Sequence, residues 1–254
     1  MRHQPITNLK NKVAVVTGSA RGIGKAIAER FGSLGASVVV NYATSEEAAQ
    51  ETVAAITRLG GTAIAVQADV SKVVDIDRLF ATTIERYGCV DIVVANAGVE
   101  IVGTPIADVS ENDFDRLFAV NTKGTFFTLQ QAARHIADHG RVMYVGSSST
   151  AFPLPGYALY SGSKMAPRIF VEVLAKELGP RGVTVNSILP TVTAGAGLST
   201  DAVRPQASEF IRAFNPMQRV GTLEDVADAA EYLAGDLSAF VSGQHLLLSG
   251  GGPA

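Results

Sequence analysis

Residues 13–24 read Val13-Ala14-Val15-Val16-Thr17-Gly18-Ser19-Ala20-Arg21-Gly22-Ile23-Gly24, and Lys25-Ala-Ile-Ala-Glu-Arg-Phe31 follows at helical spacing. A short, β-branched apolar run of this kind reads as a buried strand. The glycines Gly18, Gly22 and Gly24 then fall on the turn from strand to helix. Lacking Cβ atoms, the backbone there can approach a pyrophosphate, and the helix start offers free N–H groups and a positive dipole end. The competing reading is a tight turn whose glycines serve packing alone. The spacing, T-G-x-x-x-G-I-G, departs from the usual G-x-G-x-x-G fingerprint.

Outward from this turn, apolar runs alternate with helical periodicity. Strands are expected at 12–17, 36–41, 62–67, 91–96, 141–147, 183–188 and 244–248. Helices are expected at 22–34, 45–59, 72–87, 111–137 in two pieces, 158–178 and 223–235. This alternation implies an α/β fold, a doubly wound parallel sheet of Rossmann type with about seven strands and helices on both faces. Neither repeats nor linkers break the chain, so residues 1–254 are expected to form a single domain for nucleotide binding and catalysis. Ligands bind beyond the carboxyl ends of the strands in such sheets. Thr17, Asn41, Asp69, Asn96, Ser147 and Pro190 all stand at or just past those ends.

A second stretch carries chemistry: Tyr160-Ser-Gly-Ser-Lys164. Tyrosine and lysine four apart share one helical face. An ammonium beneath a phenol favours its ionised form and draws its pKa down toward neutrality, where it can exchange a proton with a substrate oxygen. The bland alternative is an amphipathic helix with a solvated lysine. Pro167, inside the same helix, removes a hydrogen bond and is expected to kink or loosen that turn.

Taken with Asn96-Ala97-Gly98, Asn121 and a serine, Ser147, thirteen residues before Tyr160, these motifs resemble the short-chain dehydrogenase/reductase family in its short single-domain form. The resemblance runs over roughly residues 9–252 and leans toward the NADPH-dependent ketoreductases. It implies Tyr160 as general acid in reduction and general base in oxidation. Lys164 would tune Tyr160 and hold the nicotinamide ribose. Ser147, in preference to Ser148 or Ser149, would bind the substrate carbonyl, and Asn121 would steady a helix and a water linking Lys164 to solvent. Gly18, Ser19, Arg21, Gly22, Ile23, Gly24, Asp69, Val70, Asn96, Ala97, Gly98, Pro190 and Thr193 are the implied cofactor contacts. Thr191 and Gly195 depart from the family pattern near the nicotinamide. The stretch 191–216, with Phe210 and Phe214, resembles a substrate lid, faced by Glu100, Ile101, Val102 and residues 152–154.

Nucleotide choice rests on the end of the second strand, Asn41-Tyr42-Ala-Thr44-Ser45. No carboxylate stands there to accept from a ribose 2′-OH, and Glu46 and Glu47 lie further on. The neutral hydroxyl-rich cluster, with Arg21 from the glycine turn, suits a 2′-phosphate. NADP(H) is therefore expected over NAD(H), although Ser45 could equally cap the next helix and Arg21 be a solvated loop residue.

Bulk properties narrow the partners. The 254 residues are 47% apolar and carry a net charge of −3, which offers no basic footprint for nucleic acid. The single cysteine, Cys89, suits a reducing compartment. The polar N-terminus and the absence of a ~20-residue apolar run imply a soluble, cytoplasmic protein with no membrane contact. The four histidines lack metal-ligand spacing and read as surface or packing residues, so no metal is expected. The expected reaction is hydride transfer between nicotinamide and a small carbonyl or secondary alcohol. An NAD-linked alcohol or polyol dehydrogenase and a non-catalytic nucleotide-binding protein are the alternatives. The resemblance implies a homotetramer, with Phe126, Phe127, Leu129, Phe170, Val171 and Leu174 as candidate contact residues.

Overall fold

The computed structural model describes residues 7–197 and 215–252. Seven parallel strands form one sheet in the order β3-β2-β1-β4-β5-β6-β7. They are β1 Val13–Val16, β2 Ser37–Tyr42, β3 Thr62–Gln67, β4 Val90–Ala95, β5 Ile136–Val145, β6 Thr184–Pro190 and β7 His245–Leu248. The helices are α1 Gly22–Ser33, α2 Glu46–Arg58, α3 Val73–Tyr87, α4 Glu111–Phe118, α5 Thr125–His135, α6 Ala158–Leu178 and α7 Leu223–Ala234. The doubly wound sheet expected from sequence is therefore present.

Strand periodicity sorts the core into two layers. Ala14, Val16, Val38, Val40, Ile92 and Val94 pack beneath Ile27 and Phe31 of α1, Ile56 of α2 and Leu233 of α7. Their neighbours Val15, Val39, Val93, Val142 and Tyr144 turn to the other face. There they meet Ile76 and Phe80 of α3, Leu129 of α5 and Val171 and Leu174 of α6. Each fully buried aliphatic or Phe side chain contributes roughly 1.5–3 kcal/mol. The layers hold every strand end at one edge of the molecule.

Three local features bear on the site. The 111–137 segment forms two helices as expected, α4 and α5, and a single π-helical turn, Ala119–Gly124, joins them. Strand β5 begins at Ile136, before the expected 141, with a register irregularity opposite Val90 and Ile92. His245 is more than a surface or packing residue. Its ring lies between Ser187 of β6 and Glu172 of α6, the latter 2.9 Å from Nε2, and joins three elements. Among the described residues, no helix is long and apolar enough to cross a membrane, and no cluster of His, Cys, Asp and Glu could hold a metal ion.

Candidate active site

The glycine turn leaves β1 at the switch point of the sheet, where β1 pairs with β2 on one side and β4 on the other. Gly18 takes φ +61°, and a Cβ there would sit 2.8 Å from Ala97 Cα. A Cβ on Gly24 would overlap the Asn96 amide and the Gly18 carbonyl, so α1 starts close against the sheet. Gly22 differs. At φ +57° it lies against the backbone of Gly195 and Ala196, with Gly195 O the nearest atom to a built Cβ at 3.6 Å, an ordinary contact distance.

Polar side chains lock this turn from behind. Thr17 Oγ1 accepts the N–H groups of Asn96 at 2.9 Å and Ala97 at 3.0 Å. Asn96 Nδ2 donates to the carbonyls of Thr17 at 2.8 Å and Gly18 at 3.0 Å. Asn41 Oδ1 accepts from Gly18 N at 3.0 Å, while its Nδ2 donates to Ala68 O at 3.0 Å. Ser19 Oγ donates to Val16 O at 2.7 Å and accepts from Asn41 N. Two expectations are corrected here. Ser19 and Asn41 are buried with their hydrogen-bonding groups committed to protein, so they support the turn and do not present side chains to a nucleotide.

The remaining expected nucleotide residues are differently placed. Arg21, Thr44 and Ser45 are exposed, and Tyr42 is half-buried. Ser45 stands at the N-cap of α2 without making a side-chain cap bond, and Arg21 heads α1 likewise. Among the described residues these side chains are uncommitted. Ile23 packs against the first core layer. Asp69 accepts from Ser71 N and Oγ at 3.0 and 2.7 Å, and Val70 is buried against Gly124. The Cβ-free, left-handed Gly22 at the head of α1, flanked by uncommitted Arg21, Thr44 and Ser45, fits a dinucleotide pyrophosphate with a 2′-phosphate.

Beyond β4 and β5 lies the second half of the site. Ser147, just past β5, accepts from Ser149 N and donates to Ser149 Oγ at 3.0 Å, because residues 148–150 curl into a 3₁₀ turn. Strand alternation therefore does not continue through the three serines. Tyr160, in the first turn of α6, is half-buried and hydrogen-bonds with Ser147. Lys164 is buried, with Nζ donating to Val145 O at 3.2 Å and lying 5.6 Å from the Tyr144 ring centroid. A Cβ on Gly98 would come within 2.8 Å of that Nζ. The N-A-G motif thus supplies room for the lysine.

Burial pushes the Tyr160 phenol well above its ordinary value, the Glu100 carboxylate adds to the rise, and the Ser147 hydrogen bond only partly offsets them. Burial also lowers Lys164 to about 8, against a smaller opposing effect of Glu100. Glu100 stands beside Gly197 (φ +59°), where a Cβ would meet its Oε2 at 2.6 Å.

Asn121, buried in the π turn, uses its whole side-chain amide on protein. Oδ1 accepts from Val99 N at 2.8 Å, and Nδ2 donates to Val99 O at 2.9 Å and Ser163 Oγ at 3.0 Å. Pro190 closes β6, and Thr193 is buried, donating to Thr191 O at 2.9 Å. Thr191 has no positive φ, so the glycine usual at that position is not required; the left-handed residues are Gly195 and Gly197. Of the expected lid, residues 198–214, with Phe210 and Phe214, lie outside the described residues. Sequence reasoning missed Tyr144, whose hydroxyl donates to Lys164 O at 3.1 Å, and Thr122, whose hydroxyl donates to Ser163 O at 2.9 Å.

Comparison with known proteins identifies the family. A family model described as enoyl-(acyl carrier protein) reductase matches residues 18–252. Elsinochrome reductase 1 of Elsinoe fawcettii is 40% identical over 96% of this chain and 95% of its own. The chain belongs to the short-chain dehydrogenase/reductase family. Membership makes it an oxidoreductase of the reductase kind. Two solved structures superpose closely. LugOII, a promiscuous reductase that catalyses keto-reduction at C1 during lugdunomycin biosynthesis, is 40% identical with a TM-score of 0.90, over 96% of this chain and 99% of its own. A short-chain dehydrogenase of Burkholderia cenocepacia in complex with NADP is 37% identical with a TM-score of 0.90, over 96% and 98%.

Proposed function

We propose that this protein is an NADP(H)-dependent carbonyl reductase, with Tyr160 as proton donor. One observation carries the reading: the Tyr160 phenol stands beside Ser147 at the same sheet edge as the Gly18–Gly24 turn. A phenol protonated at neutral pH can give its proton to a developing alkoxide. The reductase names of the relatives favour the direction of reduction. The ketone class agrees with the keto-reduction named for LugOII.

Nicotinamide, when bound, supplies the hydride. The Ser147 hydroxyl holds the carbonyl oxygen and Tyr160 Oη–H gives its proton to that oxygen. Lys164, held under Gly98, is placed to bind ribose hydroxyls. The Gly18–Gly24 turn, Ile23 and the Asn96–Gly98 segment shape the cofactor bed, with Asp69, Val70, Pro190 and Thr193 at its ends. Arg21, Thr44 and Ser45 take the 2′-phosphate. A single domain performs both tasks, closed by a lid over about 191–216, and acts in the cytoplasm.

Titration of the protein with NADPH and NADH, followed by nicotinamide fluorescence, tests the cofactor assignment. In Arg21→Ala, NADPH should bind about tenfold more weakly, as expected for one lost charge-assisted contact, with NADH unchanged. Equal weakening of both nucleotides, or of neither, would remove Arg21 from the 2′-phosphate site.

A further inference from the structure

Pro167 lies inside α6, four residues after Ser163. In a regular helix the N–H of residue 167 donates to the carbonyl of residue 163. Proline has no such N–H. The carbonyl so released is the one to which Thr122 Oγ1 donates at 2.9 Å. Thr122 sits in the π turn next to Asn121, whose Nδ2 donates to the Ser163 hydroxyl at 3.0 Å. That hydroxyl in turn donates to the carbonyl of Tyr160 at 2.7 Å. Ser163 and Asn121 are fully buried.

We propose that Thr122 and Ser163 are positioning residues of the active site: the Thr122 hydroxyl replaces the N–H that Pro167 lacks, and with Asn121 it staples the π turn to the helical turn that carries Tyr160. The widened π turn and the interrupted helix are thus two halves of one device. An unbroken α6 would leave Thr122 no carbonyl lacking its helical donor. Pro167 alone would leave a buried carbonyl without a partner, which the fold disfavours. The staple fixes Tyr160 by its backbone, upstream of any contact with substrate. It rests on the reading of Tyr160 as proton donor.

A double-mutant cycle tests it, with kcat and KM measured for NADPH-driven reduction of an aryl ketone and unfolding midpoints read for each protein. Thr122→Val should lower kcat roughly tenfold, within the range for a displaced catalytic group, while the KM for NADPH stays within about twofold. Thr122→Ser should restore it. In Pro167→Ala, the new N–H serves the Ser163 carbonyl, so adding Thr122→Val should cost less than about twofold in kcat. Thr122→Ala makes the same comparison if the valine variant does not fold. Equal losses in both backgrounds, or no loss in the parent, would overturn the staple. Tyr160→Phe is measured alongside. Turnover retained there overturns the Tyr160 reading, whereas turnover lost there with no Thr122–Pro167 coupling overturns this proposal alone.

Discussion

Lys164 and Tyr160 show how burial sets the chemistry of a pair that helical spacing merely brings near. The ammonium lies beneath Gly98, bonded to the Val145 carbonyl, and the phenol bonds to Ser147; each is shifted by desolvation first. In the nucleotide-free protein, the difference in phenolate absorbance between the parent and Tyr160→Phe should therefore be flat up to about pH 10; ionisation near neutrality would contradict the burial account. The same variant should lose turnover by at least about a thousandfold while still binding NADPH. Lys164 makes a linkage prediction of opposite sign to a salt-bridged group. Its folded pKa, about 8, lies below its ordinary 10.5. Between those values the unfolded chain holds a proton that the folded chain has lost, so stability rises with pH across that window and gains nothing below it. The stability of the parent relative to Lys164→Met should climb by roughly 3 kcal/mol from pH 8 to 10.5 in urea unfolding. A difference independent of pH would show that the lysine is hydrated.

The glycine turn works as an element because side chains from three strands hold it. Asn41 alone links Gly18 N to the carbonyls of Val66 and Ala68 across β1, β2 and β3. Asn41→Ala should cost about 1–3 kcal/mol, from buried groups left unsatisfied, and weaken NADPH and NADH alike. Loss for NADPH alone would mean that Asn41 touches the 2′-phosphate after all. Strand ends were legible in the sequence because β-branched runs stop at small or polar residues, and α6 was legible to its last residue. The direction of a polar side chain at a strand end was not, which is why Ser19 and Asn41 looked like ligand contacts. The π turn was equally hidden. Its six residues carry no period of their own, and the bonds that hold it reach Val99 and Ser163, 22 and 41–42 positions away. Tyr144 escaped notice for the same reason, since an apolar strand gives no sign that one phenol will meet the carbonyl of Lys164.

On the scale of the whole molecule, several large apolar side chains remain exposed among the described residues. Met165, Ile169 and Val173 follow one another at four-residue spacing on α6 and are 43, 57 and 47% exposed. Phe126 of α5, 43% exposed, extends the stripe and meets Phe170 edge-on with centroids 5.1 Å apart. Of the residues expected at a subunit contact, Phe126 is on this surface, whereas Leu129, Val171 and Leu174 face the core. Leu237, Phe240 and Leu246, in β7 and the turns before it, are exposed as well. Exposed apolar surface can mark a contact between proteins. Two two-fold contacts of this kind would close the tetramer that the family resemblance implies. Light scattering at micromolar concentration should therefore give the mass of four chains. Ile169→Glu, placing a charge at the centre of the α6 stripe, should yield dimers held through the β7 patch, and Phe240→Glu dimers held through α6. A parent protein that scatters as a monomer would leave both patches without a partner of their own kind. A tetramer unmoved by Ile169→Glu would place the contact elsewhere than α6.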